Sequence, residues 1–230
     1  MRIFLILITF VSFGCASKGF NRVELKKQIG VKTPVVDDEE IAKILAKKPN
    51  LPKPFKLALY FNSPVHTGVE KPNWRWSESD LGLVHRVAEQ LKSEGLISQV
   101  FPIVGSIVKD EDLRSIRIAA AKHGADAVMI VSGASSVDRY TNSWAWTYMF
   151  LVPALFVAGS EADTLFLTSA AMWDVRNEYL YLTAEAEAVV HDTYVPVFGK
   201  RQRDMVNEAK HQALNRLAEK IVEMVKGVKN

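Results

Sequence analysis

Two hydrophobic periods follow one another along this chain. Lys56–Phe61 (KLALYF) is a short apolar run behind Pro54 and ahead of the loop Asn62–Ser77, the pattern of a strand. Leu83, Val84, Val87 and Leu91 then recur at helical spacing. Ser79 or Asp80 caps that segment and Gly95 stops it, which predicts a helix over Leu81–Ser93. Ile97–Val104 reads as a second strand. Asp110–His123 reads as a second helix, with Leu113, Ile116 and Ala120 on its stripe and Gly124 at its stop. Ala125–Gly133 (ADAVMIVSG) is apolar nearly throughout and ends in glycine, as a buried strand does.

Beyond that point the period becomes two. Asp163–Asp174 and Glu178–Val190 are extended runs joined by Val175-Arg176-Asn177-Glu178, which predicts a β-hairpin. In the second run Leu180, Leu182, Ala184, Ala186 and Ala188 share one face. Tyr179, Tyr181, Thr183, Glu185 and Glu187 share the other, so one side of this strand is covered. Lys200–Val225 closes the chain as a long amphipathic helix carrying Val206, Ala209, Ala213, Leu217, Ile221 and Met224 near one face. Alternating strands and helices followed by a hairpin and a helix imply an α/β fold. Its expected form is a mixed sheet of about five strands with helices packed on it, in the order βαβαβ-β-β-α. It forms a single domain over residues 56–230.

Upstream of Lys56 the pattern weakens. Ser17–Thr33 is polar and basic and reads as a tether. Asp37-Asp38-Glu39-Glu40 precede IAKILAKK, so acids stand in the first turn and lysines in the last, as a helix dipole favours. Ile41, Ile44 and Leu45 make one apolar stripe, and Pro49 ends this short helix. Pro49–Pro54 (PNLPKP) is extended, because the residue before each proline is pushed out of the helical region. Residues 15–55 are thus expected to form a tether with one short helix.

The chain begins MRIFLILITFVSFGC. Arg2, the uncharged run Ile3–Phe13 and the small Gly14 have the plan of a secretory signal over residues 1–14. The run is shorter than the roughly 20 residues a bilayer span requires. Cys15 is the single cysteine, which excludes an internal disulfide and a C-x-x-C site. Its position resembles the lipobox of bacterial lipoproteins, where the cysteine is acylated and becomes the first mature residue. Gly14 and Cys15 fit that pattern, whereas Ser12 and Phe13 depart from it. The resemblance implies a membrane anchor of palmitate-type chains on Cys15, each buried CH₂ adding about 0.8 kcal/mol. Ala16 and Ser17, with no Asp after the cysteine, imply the outer membrane facing the periplasm.

Composition removes other classes. The 230 residues carry 29 basic and 26 acidic side chains, a net charge of +3 without a basic block, so no nucleic-acid partner is expected. His66, His85, His123, His191 and His211 show neither i, i+4 metal spacing nor H-E-x-x-H, and no metal or cofactor is expected. Neither a nucleophile elbow nor a phosphate loop is present. Ser132, Ser135 and Ser136 follow a strand end, where α/β folds often bind ligands, and ordinary loop serines are the simpler account. Glu185 and Glu187 fit a solvated strand face, and Trp74 and Trp76 fit packing over the sheet better than ligand stacking.

From Lys56 onward the succession KLALYF, ISQVFPI, AAKHGADAVMIVSG and AAMWDVRNEYLYLTAEAEA resembles the rhombotarget lipoproteins of bacteria. It is similar, more distantly, to the curli-secretion-channel lipoprotein and to the amino-terminal domain of the Tol-system periplasmic protein. The resemblance covers about three quarters of the chain and is of the fold kind, implying one mixed sheet and no particular activity. MFLVPALFVAGSEADT matches the rhombotarget group best. The ending KIVEMVKGVKN, without Gly-Gly or an apolar tail, departs from it and leaves C-terminal processing unsupported.

Ser143–Gly159 (SWAWTYMFLVPALFVAG) is the most apolar stretch after the N-terminus. Trp144, Trp146, Tyr148 and Phe150 are spaced by two, as on one face of a strand. At 17 residues, with Pro153 inside and Glu161 soon after, it is at the short limit for a membrane helix. Three readings stand: a core strand, an apolar loop on the membrane beside the lipid, or a subunit contact. The expectation is a non-catalytic lipid-anchored envelope protein that binds a partner or itself. Its anchor is Cys15, and its contact residues are Trp144, Trp146, Tyr148 and Phe150. A subunit of an oligomeric secretion or transport assembly is the alternative, and an envelope enzyme comes third.

Overall fold

The computed structural model describes residues 19–30, 37–64, 74–141, 160–194 and 202–227. The expected sheet is there: β1 (Phe55–Phe61), β2 (Ile97–Ile103), β3 (Ala127–Thr141), β4 (Ser160–Asp174) and β5 (Leu180–Tyr194), in the order β2-β1-β3-β4-β5. β1 lies parallel to both β2 and β3, and β3, β4 and β5 are antiparallel, so the sheet is mixed. The described helices are α1 (Arg22–Ile29), α2 (Asp38–Leu45), α3 (Glu78–Ser93), α4 (Leu113–Lys122) and α5 (Gln202–Gly227).

The two faces are covered by different helices because alternate residues of each strand point to opposite sides. Leu57, Leu59, Met129, Met172 and Leu182 pack beneath α3 and α5. Ala58, Tyr60, Val128 and Ile130 pack against Ile116, Ala119 and Ala120 of α4. Gly95 and Gly124, which stop α3 and α4, both have a φ of about 71°, the left-handed conformation that glycine enters without strain.

One ion pair locks α5 to the start of α3. Lys210 Nζ lies 2.5 Å from Asp80 Oδ2 and donates to the Arg75 carbonyl at 2.7 Å, and both side chains are almost wholly buried. The same Asp80 oxygen accepts from the Ser77 amide (2.7 Å) and hydroxyl (2.8 Å), so the carboxylate caps α3 while neutralising the lysine.

The predicted hairpin turn is fixed from both sides. Asp174, fully buried, accepts from the amides of Arg176 and Asn177 and from the Tyr181 hydroxyl. Arg117 of α4 donates to the carbonyls of Asp174, Val175 and Arg176 and pairs with Glu178. Glu178 itself has φ 62°, an αL residue that these contacts hold.

Two differences from the sequence expectation matter. β3 runs eight residues past Gly133, to Thr141, and pairs with β4 without interruption from Ala127↔Asp174 to Thr141↔Ser160. The other concerns the segment read as a bare tether, which contains α1. Asn21 caps α1 by accepting from the Glu24 amide, and Leu25 and Ile29, one turn apart, are buried against Ala134, Leu165 and Leu167.

Lys210→Ala leaves Asp80 buried without its cation, and urea unfolding is expected to show a loss of about 3–5 kcal/mol. Lys210→Met with Asp80→Asn removes both charges and keeps an oxygen for the Ser77 cap, so it is expected to lose clearly less.

Candidate functional site

Five points of the chain meet at the end of the sheet away from the hairpin turn. Thr141 pairs with Ser160, and Ser160 pairs on its other side with Tyr194, so the ends of β3, β4 and β5 stand side by side. Gly19 reaches the same end, its amide donating to Asp138 Oδ2 at 2.9 Å. Gln202, the first residue of α5, accepts from Arg139 at 2.5 Å. Cys15, Trp144, Trp146, Tyr148 and Phe150 lie outside the described residues. The segments that carry them join the described chain at this end, at Gly19 and between Thr141 and Ser160.

Polar groups on one face tie the strand ends together. His191 Nδ1 lies 2.7 Å from Asp163 Oδ1, and Tyr140 donates its hydroxyl to Asp163 Oδ2 at 3.1 Å. His191 Nε2 lies 3.1 Å from the Thr193 hydroxyl. Burial, with the neighbouring carboxylates of Asp163 and Glu161, pushes the Tyr140 hydroxyl up to about 12. Asp192, next to His191 in sequence, points to the opposite face, as alternation requires.

α1 is held here by charge as well as by its apolar side. Arg22 Nε donates to Glu187 Oε2 at 3.0 Å, and Lys26 Nζ to Glu185 Oε2 at 2.6 Å. The two glutamates on one strand face are therefore the landing for a helix, where the sequence suggested a plain solvated surface. The Arg22 hydrogen bond holds Glu187 below the ordinary carboxylate value. Asn21-x-x-Glu24 and the Leu25–Ile29 spacing were the sequence signals for this helix.

Described side chains occupy the place where an α/β sheet usually opens a ligand crevice. β1 leads to α3 on one face and β2 to α4 on the other, so the switch point lies between the ends of β1 and β3. There Asn62 donates to the Ser132 hydroxyl at 2.8 Å, and the Trp76 indole donates to the Asn62 carbonyl at 2.7 Å. Trp74 is buried, edge-on to Phe166 and to Trp76 with centroids 4.9 Å apart in each case. Gly133 makes room for it: a Cβ there would lie 2.8 Å from Phe166 Cζ and 3.0 Å from Trp74 Cη2. The pair Trp74 and Trp76 thus packs over the sheet. Ser132 is buried, and β3 continues through Ser135 and Ser136 as strand.

Among the described residues, no cluster of His, Cys, Asp and Glu has the arrangement of a metal site. No described helix is long and apolar enough to cross a membrane.

No protein-family model matches the chain, and no curated protein matches it. Among solved structures it is similar to a hypothetical protein from Chlamydia trachomatis, at 8% identity and a TM-score of 0.37 over 74% of this chain and 97% of that one. It is also similar to a minor lipoprotein from Acinetobacter baumannii, at 10% identity and a TM-score of 0.35 over 77% and 94%. The rare lipoprotein B from Shewanella oneidensis matches at 13% identity and a TM-score of 0.29 over 75% and 92%. Likeness of this depth assigns neither a family nor a role to the chain.

Trp74→Ala is expected to cost about 3–5 kcal/mol in chemical unfolding, as loss of a buried aromatic does; a value near zero would place Trp74 outside the core. Because Glu187 titrates lower in the folded protein, its contribution to α1 docking is present above the ordinary carboxylate value of 4.5. That contribution is lost as pH falls through the lowered value. Amide-exchange protection of α1, corrected for intrinsic rates, is expected to hold above the ordinary value of 4.5 and to drop as the pH is taken below it. Arg22→Ala is expected to flatten the drop.

Proposed function

We propose that this is a lipid-anchored envelope protein that binds a partner at the membrane surface and performs no catalysis. The observation that supports this reading is the meeting of chain ends at one edge of the molecule. Cys15 precedes Gly19 by four residues, so the length of the chain between them limits its α-carbon to about 15 Å from Gly19, whose amide donates to Asp138. The segment with Trp144, Trp146, Tyr148 and Phe150 leaves and re-enters the sheet at that same end. Tryptophan and tyrosine favour the bilayer interface, and an apolar segment adds to the hold of a lipid anchor. In this reading residues 1–14 are a removed signal. The mature chain is fixed through Cys15 to the outer membrane, and the sheet stands on the bilayer with its hairpin turn toward the periplasm. The motif resemblance to rhombotarget lipoproteins is in keeping with it.

Incorporation of labelled palmitate into the full chain is expected, with loss in Cys15→Ser. The unlipidated form Lys18–Asn230 is expected to float with liposomes. Trp144→Ser with Trp146→Ser is expected to stop flotation while leaving the circular dichroism unchanged. An unlipidated form that stays at the bottom as a folded monomer would leave the lipid as the sole membrane contact.

A further inference from the structure

Of the five described α-helices, α2 alone buries no side chain. It is nonetheless well formed at its start: Asp37 accepts from the Glu40 amide at 2.8 Å, and Glu40 accepts from the Asp37 amide at 3.4 Å. Its stripe is bare, with Ile41 43%, Ile44 48% and Leu45 80% exposed. An eight-residue helix is not stable in water by itself, and an amphipathic pattern of this kind belongs to a helix with a covered face.

An open groove of about 650 Å³ lies just beyond it, lined by Pro49, Leu51, Pro52, Tyr179, Tyr181 and Met224. Its walls are built. The Asn50 amide donates to the Tyr181 hydroxyl at 3.0 Å, that hydroxyl donates to Asp174 at 2.7 Å, and the Tyr179 and Tyr181 rings lie 5.1 Å apart. The link between helix and groove is fixed as well. Lys47 pairs with Glu178 at 3.5 Å, and Asn177 donates to the Lys48 carbonyl at 2.9 Å. With its root held in this way, α2 cannot turn back into the groove of its own chain without breaking those contacts.

We propose that the groove receives α2 of a second copy of this chain, and that the exchange is mutual. A convex apolar helix and a concave groove on one patch are what a two-fold contact needs, each copy supplying both parts. Charge favours the same partner. Asp37, Asp38, Glu39 and Glu40 crowd the start of α2, while Lys48 and Lys53 flank the groove side. Asp38, Lys48 and Lys53 form no ion pair within the described chain, so they remain for complementary pairing across the two-fold. The contact does not depend on Cys15 being acylated.

The test is sedimentation of the full chain in detergent micelles over a hundredfold range of dilution. A dimer that dissociates on dilution is expected. Ile44→Glu with Leu45→Glu is expected to raise the dissociation constant about tenfold or more, with the urea midpoint unchanged at a dilution where both forms are monomeric, because both side chains are exposed in the single chain. Asp38→Lys is expected to weaken the dimer, and Lys53→Asp added to it to restore part of the loss. A monomer at every concentration overturns the proposal, as does a dimer indifferent to Ile44 and Leu45. A lower urea midpoint of the monomeric double variant, with its dimer constant unchanged, also overturns it, by showing that α2 packs on its own chain. Loss of palmitate labelling with the dimer intact would sink the lipid anchor and leave this contact standing.

Discussion

The unbroken pairing of β3 with β4 is the constraint on which the rest of this structure depends. β1 and β2 end at Phe61 and Ile103, so beyond them the sheet is three strands wide and held only by antiparallel ladders. That extension has two apolar faces to cover. Phe166, Ala188 and Val190 lie beneath Trp74 and the first turns of α5, and Ala134, Leu165 and Leu167 lie beneath α1. A slip of one residue in the β3–β4 register would exchange these faces and leave both covers without a partner. The same register places Thr141, Ser160 and Tyr194 together and so decides where the aromatic segment joins the fold.

The long strand β5 lies at the edge of this sheet, and α5 protects it. Arg216 donates to the Glu187 carbonyl at 2.7 Å and Lys220 to the Glu185 carbonyl at 2.6 Å, so two outward backbone acceptors are occupied by cations of the covering helix. The side chains of the same two glutamates hold α1. One short stretch of β5 thus joins the first helix to the last. The opposite edge, β2, is short and carries Pro102, which cannot donate to an incoming strand.

Much of this was legible in the chain, and the parts that were not have physical reasons. The hairpin, the alternation in β5 and the long helix α5 follow from periods of two and 3.6 over many residues, where pattern is strong. The end of β3 was misplaced because Ser132-Gly133-Ala134-Ser135-Ser136 reads as a loop, its small and polar residues being suited instead to a crowded sheet under Trp74. α1 was missed because two buried residues in eight are too few to show through its charges. Asp80 was legible only as a candidate cap and Lys210 not at all, since their mutual burial follows from the packing of α5 on α3, which no local pattern records. Cys15 was singled out as the expected anchor by position alone, and it lies outside the described residues. The aromatic segment was legible as unusual, and its three readings differ in what surrounds it, which a sequence does not contain.

The central claim is that the sheet stands on the membrane by the end that carries Gly19 and Thr141. Spin-label accessibility tests it most directly. With Cys15 acylated as proposed, an introduced cysteine is the single free thiol of the chain. Thr193→Cys marks the anchor end and Lys122→Cys, at the end of α4, the opposite one; both positions are exposed. In vesicles bearing the full lipidated chain, the label at position 193 is predicted to be reached by membrane-dissolved oxygen and shielded from a water-soluble relaxant. The label at position 122 is predicted to behave as fully aqueous. Equal aqueous exposure of the two labels, or the reverse order, would contradict the account.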